Sequence, residues 1–241
     1  MMKKGKLYLM PTLLGSENWE HVIPLEVAEI AKKARFFVVE NIKTTRRYLR
    51  KLDRTFPIDD STFFVLNKKT NPNELHKMLQ PLDEGNDVCI ISEAGCPGIA
   101  DPGSDLVAVA HQKGYFVSPL TGPSSILLGL MASGFNGQSF CFHGYISKDR
   151  KERISTLKKY EYEANKSGQT QIFMDTPFRN NHVLEDILNE CSDDTLLCVA
   201  CNLTLPSERV QTMTVVEWRK KAFDLSKRPT MFLIGKPFVV S

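Results

Sequence analysis

The first half of the chain alternates short apolar runs with amphipathic segments. Four or five apolar residues bounded by turn residues are typical of a buried parallel strand, and apolar positions every three or four residues indicate a helix packed on it. The predicted strands are Leu7–Met10, Phe36–Val39, Thr62–Leu66, Val88–Ser92 and Tyr115–Ser118. The predicted helices are Pro24–Ala34, Thr44–Leu52 capped by Thr44, a helix that starts at Asn71, and Ser104–Lys113. This order predicts an open parallel α/β sheet with helices on both faces.

The best candidate for a linker is the segment Pro119–Pro123, because proline and glycine bracket it. We therefore expect an N-terminal α/β domain of residues 1–120 and a C-terminal domain of residues 121–241, with a ligand cleft between them. Wider strand spacing in the second half predicts a mixed sheet. Its predicted strands are Ser139–His143, Gln171–Asp175, Leu196–Ala200 and Met231–Gly235, and its helices are Ser124–Ser133, Arg150–Glu163, Arg179–Cys191 and about Val215–Phe223.

Composition places the chain among ordinary globular proteins, with 42 % hydrophobic and 24 % charged residues. No run of about 18 apolar residues exists, which argues against a membrane span, and the run Leu7–Met10 is too short for a signal-peptide core. We therefore expect a soluble cytoplasmic protein whose scattered cysteines are small hydrophobes. Cys198 and Cys201 have metal-ligand spacing, but residues three apart on a strand face opposite sides. The histidines show no such spacing, so no metal is expected.

The segment Ser92–Gly103 carries the strongest chemical signal. It follows the most hydrophobic strand of the first half and precedes a helix, and ligands of open α/β sheets lie beyond the carboxyl ends of the strands. Its glycines permit close backbone approach. The carboxylates of Glu93 and Asp101 suit hydroxyls, amines or a cation. The alternative is a tight structural turn with surface carboxylates.

Two common phosphate-binding motifs do not fit this loop. Gly98 and Gly103 have the first spacing of a P-loop, but Ser104 stands at the lysine position. No Gly-x-Gly-x-x-Gly follows any predicted strand, which disfavours a dinucleotide. Leu9–Thr12 ends the first strand, and Gly122–Ser125 opens a helix whose free N–H groups suit a carboxylate. We expect these two segments to converge with the loop Ser92–Gly103.

Together these segments resemble the tetrapyrrole-methylase superfamily of S-adenosylmethionine-dependent methyltransferases. The branch it most resembles methylates a ribose 2′-hydroxyl of small-subunit ribosomal RNA. The resemblance spans nearly the whole chain, and Ser92–Gly103 is its most specific part. The matching stretches are Leu7–Thr12, Ser92–Gly103, Pro119–Ser125, Ala132–Phe135, Phe140–Tyr145, Phe173–Arg179 and Asn202–Thr204.

The resemblance implies a homodimer that binds S-adenosylmethionine in the cleft between the domains. Acidic groups suit the cations and ribose of this donor, a helix N-terminus suits its carboxylate, and apolar residues suit its adenine. A base for an alkyl hydroxyl would help, and Asp101, Asp175 and Glu208 all stay open for this role. The donor-binding residues implied by the family motifs are Pro11, Thr12, Glu93, Ala94, Gly95, Ile99, Ala100, Asp101, Ser124, Ser125, Asp175, Asn202 and Leu203.

The chain departs from the ribosomal RNA branch on the acceptor side. Where that branch typically has Ala-Arg-Glu-Leu-Thr-Lys, the chain has Cys201, Asn202 and Leu205 in place of the basic, acidic and second basic residue. The usual Glu-Ser-Pro-His-Arg is replaced by the sequence of Asp175–Arg179, and the chain stops at Ser241 without the C-terminal extension of many members. Two alternatives therefore stay open: the same donor with a small tetrapyrrole-like acceptor, and a non-catalytic donor-binding protein.

One predicted helix carries a basic face that suits RNA. Residue spacings of three and four bring its cations together, and such a stripe can follow a phosphate backbone. The cations are Lys43, Arg46, Arg47, Arg50, Lys51 and Arg54. We expect Arg46, Arg47 and Arg50 to bind structured RNA, and a solvated face is the alternative. A second, weaker cluster at Lys148–Arg153 is interpreted as solvation.

Overall fold

The structure is a computed structural model that describes residues 3–237. The chain divides into two compact units, one that ends at Ser124 and one that begins at Ser125. The predicted linker Pro119–Pro123 lies just before this division. The predicted α/β class, with one open parallel sheet and one mixed sheet, is confirmed.

The first unit is built on a parallel sheet. Its strands are β1 (Lys6–Met10), β2 (Phe36–Val39), β3 (Thr62–Val65), β4 (Val88–Ile91) and β5 (Phe116–Pro119). Within the described residues they form a five-stranded sheet in the order β3-β2-β4-β1-β5. Met10 of β1 and Val39 of β2 both pair with Ile91 of β4. The residues that follow these three strands therefore start at the same level of the carboxyl edge.

Helices cover both faces of this sheet, as predicted. They are α1 (Leu25–Lys33), α2 (Ile42–Leu52), α3 (Pro72–Asp83) and α4 (Ser104–Gln112), with a short 3₁₀ helix at Trp19–His21. Side chains of α1 and α2 pack on one face, and those of α3 and α4 pack on the other. The prediction that Thr44 caps α2 is wrong. Asn41 is the cap, because its side-chain oxygen accepts from the Lys43 N–H at 2.9 Å and asparagine suits this role.

The second unit has a mixed sheet. Its strands are β6 (Phe140–Tyr145), β7 (Thr170–Met174), β8 (Leu196–Cys201), β9 (Arg209–Thr214) and β10 (Thr230–Ile234). Their order is β6-β7-β10-β8-β9; β6 and β7 are parallel, and the other neighbours are antiparallel. Helix α5 (Ser125–Ser133) packs on one face, and α6 (Arg150–Ser167), α7 (Asn180–Glu190) and α8 (Val215–Arg219) pack on the other. The sequence missed β9.

The two cysteines of β8 lie in different core layers. Cys198 packs with the α5 face and Cys201 with the opposite face, so the structural reading of this pair is confirmed. Burial raises the pKa of the Cys198 thiol to about 11, as expected for an inert apolar residue. Across residues 3–237, no helix is long and apolar enough to cross a membrane.

Candidate functional site

Three loops meet at the carboxyl edge of the parallel sheet. The Thr12 N–H donates to the Gly95 carbonyl at 2.9 Å, and the Thr12 hydroxyl donates to the Ser92 carbonyl at 3.3 Å. The Cys96 thiol contacts the Pro123 carbonyl at 3.6 Å. These contacts join the segments after β1, β4 and β5. The predicted convergence of the three segments within this unit is confirmed.

Glycine is required where two of these loops touch. A Cβ on Gly122 would lie 2.2 Å from the Pro11 Cβ, well inside van der Waals contact. Gly95 has φ +72°, which an L side chain rarely adopts, and its Cβ would lie 3.1 Å from Leu14. The backbone therefore approaches itself closely at both positions, and larger residues would separate the loops.

Carboxylates concentrate at this edge. Glu40 directly follows β2, and its side chain accepts a hydrogen bond from the Glu93 N–H at 3.2 Å. Burial raises the pKa of Glu40, and the charges of Asp101 and Glu93 raise it further. Burial also raises the pKa of Asp101, with Glu93 as the second cause. Three mutually repelling carboxylates favour a cation at this edge.

Helix α2 borders the same edge and closes one side of a small cavity. The Thr44 hydroxyl donates to the Glu93 carboxylate at 2.6 Å, and the buried Tyr48 hydroxyl donates to the Pro11 carbonyl at 2.8 Å. The cavity has a volume of about 190 Å³ and is lined by residues that include Thr12, Thr44, Arg47, Lys51 and Glu93. The loop Ser92–Gly103 and helix α2 therefore both contribute residues to the wall of this cavity.

The basic face of α2 divides into two rows. Arg47 and Lys51 are exposed and line the cavity. Arg46 lies over the Phe63 ring at 5.3 Å, and Arg50 donates to the Arg54 carbonyl at 2.6 Å. Within residues 3–237, no carboxylate lies at ion-pair distance from these four side chains. Their charges are therefore available to an anion.

The other predicted residues of the main loop are accessible. Ala94, Ile99 and Ala100 are exposed, and Ile99 keeps 51 % of its surface. Ala100 has φ +62°, an uncommon conformation for a residue with a Cβ. Ser124 and Ser125 are half-buried, and Ser125 is the first residue of α5. Strain at an exposed loop tip is a feature of ligand-binding segments.

The structure places the predicted residues of the second unit at strand ends. Asp175 follows β7, its carboxylate is fully buried, and it pairs with Arg179 and accepts from the Thr176 N–H at 2.6 Å. Asn202 follows β8 with φ +53°, and its side chain donates to the Ser207 hydroxyl at 3.0 Å. Leu203 packs in the core beneath α5. The Asp175 carboxylate is thus already paired within the unit.

Two further predicted residues differ in exposure. The exposed Glu208 side chain accepts from the Thr204 N–H at 2.7 Å, which stabilises the turn after β8. Cys201, one of the departures from the ribosomal RNA branch, is 1 % exposed. The Cys201 thiol lies in the core of the second unit. In the part of the chain that the structure describes, no cluster of His, Cys, Asp or Glu is arranged to hold a metal ion.

Comparison with known proteins decides the family. Residues 7–218 match the family of tetrapyrrole (corrin/porphyrin) methylases. The chain belongs to this family. The chain is therefore an S-adenosylmethionine-dependent methyltransferase. A ribosomal RNA small subunit methyltransferase I from Leptospira borgpetersenii is 31 % identical, with 99 % of this chain and 89 % of the relative aligned.

Other relatives agree with this assignment. The ribosomal RNA small subunit methyltransferase I of Bacillus subtilis is 30 % identical over 88 % of this chain and 68 % of its own. Among solved structures, the methyltransferase CobJ has 20 % identity and a TM-score of 0.63, covering 96 % of this chain and 94 % of that one. At this identity the structural match is evidence for a shared fold only.

The residues at the carboxyl edge fit the methyl donor of the family. S-adenosylmethionine carries a sulfonium and an ammonium group, and a cation beside Glu40, Glu93 and Asp101 would relieve their repulsion. The exposed side chain of Ile99 offers apolar surface on the same loop. The chemistry of the methyltransferase's own residues therefore agrees with a cationic nucleoside.

Sequence reasoning missed Glu40, Thr44 and Tyr48 as members of this site. Glu40 could have been predicted from the sequence, because an acidic residue directly after a buried strand lies at the edge of the sheet where ligands bind. Thr44 and Tyr48 contact Glu93 and Pro11, which are distant in sequence. Only the packing of α2 beside β1 and β4 brings these partners together.

Proposed function

We propose that the chain methylates a ribose hydroxyl of small-subunit ribosomal RNA, with S-adenosylmethionine as donor. The relatives named for small-subunit ribosomal RNA cover most of the chain, which supports this acceptor. When bound, the donor supplies a methyl group activated by its sulfonium charge. Alignment of that methyl group with the acceptor oxygen provides much of the acceleration in such transfers.

The observation that carries the RNA acceptor is the position of the basic helix. Arg47 and Lys51 line the cavity that also contains Thr12 and Glu93 of the donor-side loops. Arginine and lysine side chains free of carboxylate partners bind phosphates through charge-assisted hydrogen bonds. A polyanion on α2 would therefore lie beside the loop to which the family motifs assign the donor.

Among the three candidate bases, the surroundings favour Asp101. The Asp175 carboxylate is buried against Arg179, whereas Asp101 is half-buried with a raised pKa. A base with a pKa closer to neutrality accepts a proton more effectively. Asp101→Asn should lower kcat and remove the acidic limb of the pH profile, whereas Glu208→Gln should leave both unchanged. An unchanged profile for Asp101→Asn would exclude this role.

We also propose a homodimer that uses α5. Leu127 and Met131 are one helical turn apart and keep 51 % and 79 % of their surface exposed. Adjacent exposed apolar side chains on one helix favour burial against a partner. Analytical ultracentrifugation should show a dimer that dissociates in Leu127→Glu/Met131→Glu, whereas the exposed control Leu25→Glu stays dimeric. A monomeric wild-type chain at micromolar concentration would contradict the proposal.

The RNA acceptor is tested by charge reversal on α2. Arg46→Glu/Arg47→Glu/Arg50→Glu should abolish association with small ribosomal subunits, because each lost phosphate contact weakens binding in a salt-dependent way. Calorimetric affinity for S-adenosylmethionine should stay within threefold of wild type. A matched control reverses the same number of exposed charges elsewhere: Lys33, Lys77 and Lys159. If RNA association survives the arginine changes, the basic face is a solvated surface.

The same assays separate the alternatives. Methyl transfer to a small tetrapyrrole without transfer to ribosomal subunits would favour the small-acceptor alternative. Donor binding without transfer to either acceptor would favour a non-catalytic protein. Absence of donor binding would contradict the proposed activity altogether.

A further inference from the structure

Resting on the proposed function, we infer that the cavity beside α2 is the subsite for the ribose and 3′-phosphate of the target nucleotide. Arg47 and Lys51 hold the phosphate, and the Glu93 carboxylate, oriented by Thr44, accepts a hydrogen bond from the sugar.

One row of α2 brings two cations beside the Glu93 carboxylate. Thr44, Arg47 and Lys51 follow one another at intervals of three and four residues, so they lie along one row of the helix. With a rise of about 1.5 Å per residue, Arg47 lies roughly 4.5 Å along the axis from Thr44. In RNA, the 2′-hydroxyl and the 3′-phosphate are on adjacent carbons of the same sugar. The Glu93 carboxylate, hydrogen-bonded to Thr44, and the Arg47 guanidinium line the same cavity, so one ligand that carries a hydroxyl and a phosphate can contact both.

The Glu93 carboxylate is oriented so that it can accept a hydrogen bond from a sugar hydroxyl. Its Oε1 accepts from the Thr44 hydroxyl at 2.6 Å. The Thr44 oxygen also lies 3.0 Å from the Asn41 carbonyl, but a hydroxyl has one proton, and the shorter contact to a charged acceptor is the stronger one. Thr44 therefore orients Glu93, and the second carboxylate oxygen stays available. A pocket for phosphate alone would not need a carboxylate.

The size of the cavity favours a nucleotide fragment over the donor. Its volume is about 190 Å³. Pockets that enclose drug-sized ligands occupy roughly 300–1,000 Å³. A sugar and its phosphate are closer to this size than the whole of S-adenosylmethionine. The wall residues Thr12 and Thr44 are polar, which suits a sugar.

A mononucleotide titration tests the subsite directly. Uridine 3′-monophosphate, uridine and inorganic phosphate are each titrated into the full chain at low salt, and affinity is measured from amide chemical shifts. We expect the monophosphate to bind at least tenfold more tightly than either half. Arg47→Gln/Lys51→Gln should weaken it at least tenfold, and the control Lys33→Gln/Lys77→Gln, which removes two exposed charges, should change it less than twofold. Equal binding of phosphate and nucleotide would overturn the ribose half of the subsite.

The role of Thr44 is tested by a pair of variants. Thr44→Val removes the hydroxyl that orients Glu93 and should lower nucleotide affinity at least threefold, whereas Thr44→Ser keeps the hydroxyl and the wild-type affinity. If both variants bind as the wild type does, Glu93 does not act on the sugar.

Two measurements keep this inference apart from the proposed function. If Arg47→Gln/Lys51→Gln weakens calorimetric binding of S-adenosylmethionine tenfold, the cavity belongs to the donor and the subsite is refuted. If the wild-type chain prefers the nucleotide but does not methylate small subunits, the proposed function alone fails. If the double variant methylates subunits with wild-type kcat/KM, the subsite alone fails.

Discussion

Because Gly122 lies so close to Pro11, we expect a larger residue at position 122 to disturb the donor site. An alanine Cβ at position 122 would lie 2.2 Å from the Pro11 Cβ and 2.3 Å from its Cγ. Carbon atoms pack at about 3.5–4.0 Å, so the two loops must separate by roughly 1.3 Å or more. Overpacking of this kind costs about 1–3 kcal/mol of stability. Displacement of a substrate-positioning loop by about 1 Å costs up to 10²-fold in turnover.

The Gly122→Ala variant should therefore fold but bind the donor poorly. We expect calorimetric affinity for S-adenosylmethionine to fall at least tenfold and methyl transfer to fall about 10²-fold, while circular dichroism retains the native helix content. Gly137→Ala is the matched control, because a Cβ there meets no atom within 4 Å and its φ is not in the left-handed region. A folded Gly122→Ala variant with donor affinity within threefold of wild type would refute the role assigned to this contact.

Two further predictions concern the same edge of the sheet. Tyr48→Phe leaves the Pro11 carbonyl without its buried donor and should lower the free energy of unfolding in urea by about 1–3 kcal/mol. The exposed control Tyr162→Phe should change it by less than about 0.5 kcal/mol. Equal effects of the two substitutions would contradict the role of the Tyr48 hydrogen bond. Burial and Asp101 raise the Glu40 pKa, so stability decreases as pH rises above the ordinary value of 4.5. Glu40→Gln should therefore raise the free energy of unfolding at pH 7, by less than about 1 kcal/mol because solvent screens this half-buried group. It should also weaken donor binding. A variant that is less stable at pH 7 would contradict the repulsion.

The sequence predicts the first unit well because its parallel strands are buried on both faces. Each of these strands is a short apolar run bounded by turn residues, and the observed ends differ from the predicted ones by one residue at most. The start of α2 was harder, because Thr44 and Asn41 are both good caps. Asn41 is the cap because its side chain accepts a hydrogen bond from the Lys43 N–H. The helix therefore begins at Ile42, two residues before the predicted start at Thr44.

Other features depend on contacts that sequence patterns do not carry. β9 (Arg209–Thr214) is an edge strand with mixed polarity, and its pairing with β8 defines it. The solvated reading of the cluster Lys148–Arg153 is wrong for Arg153, which is 6 % exposed and pairs with Asp186 at 2.6 Å. Glu40 joins the site through strand register. These residues are placed by partners far along the chain.

The position of the transferred methyl group tests the central claim most directly. Small ribosomal subunits that lack the modification are incubated with the chain and S-adenosylmethionine labelled in its methyl group, and the RNA is then digested to nucleosides. We predict that the label appears in a single 2′-O-methylated nucleoside, and that alkaline hydrolysis of the undigested RNA leaves the phosphodiester bond on its 3′ side intact. Label on a base, label in ribosomal protein, or no label despite donor binding would contradict the account.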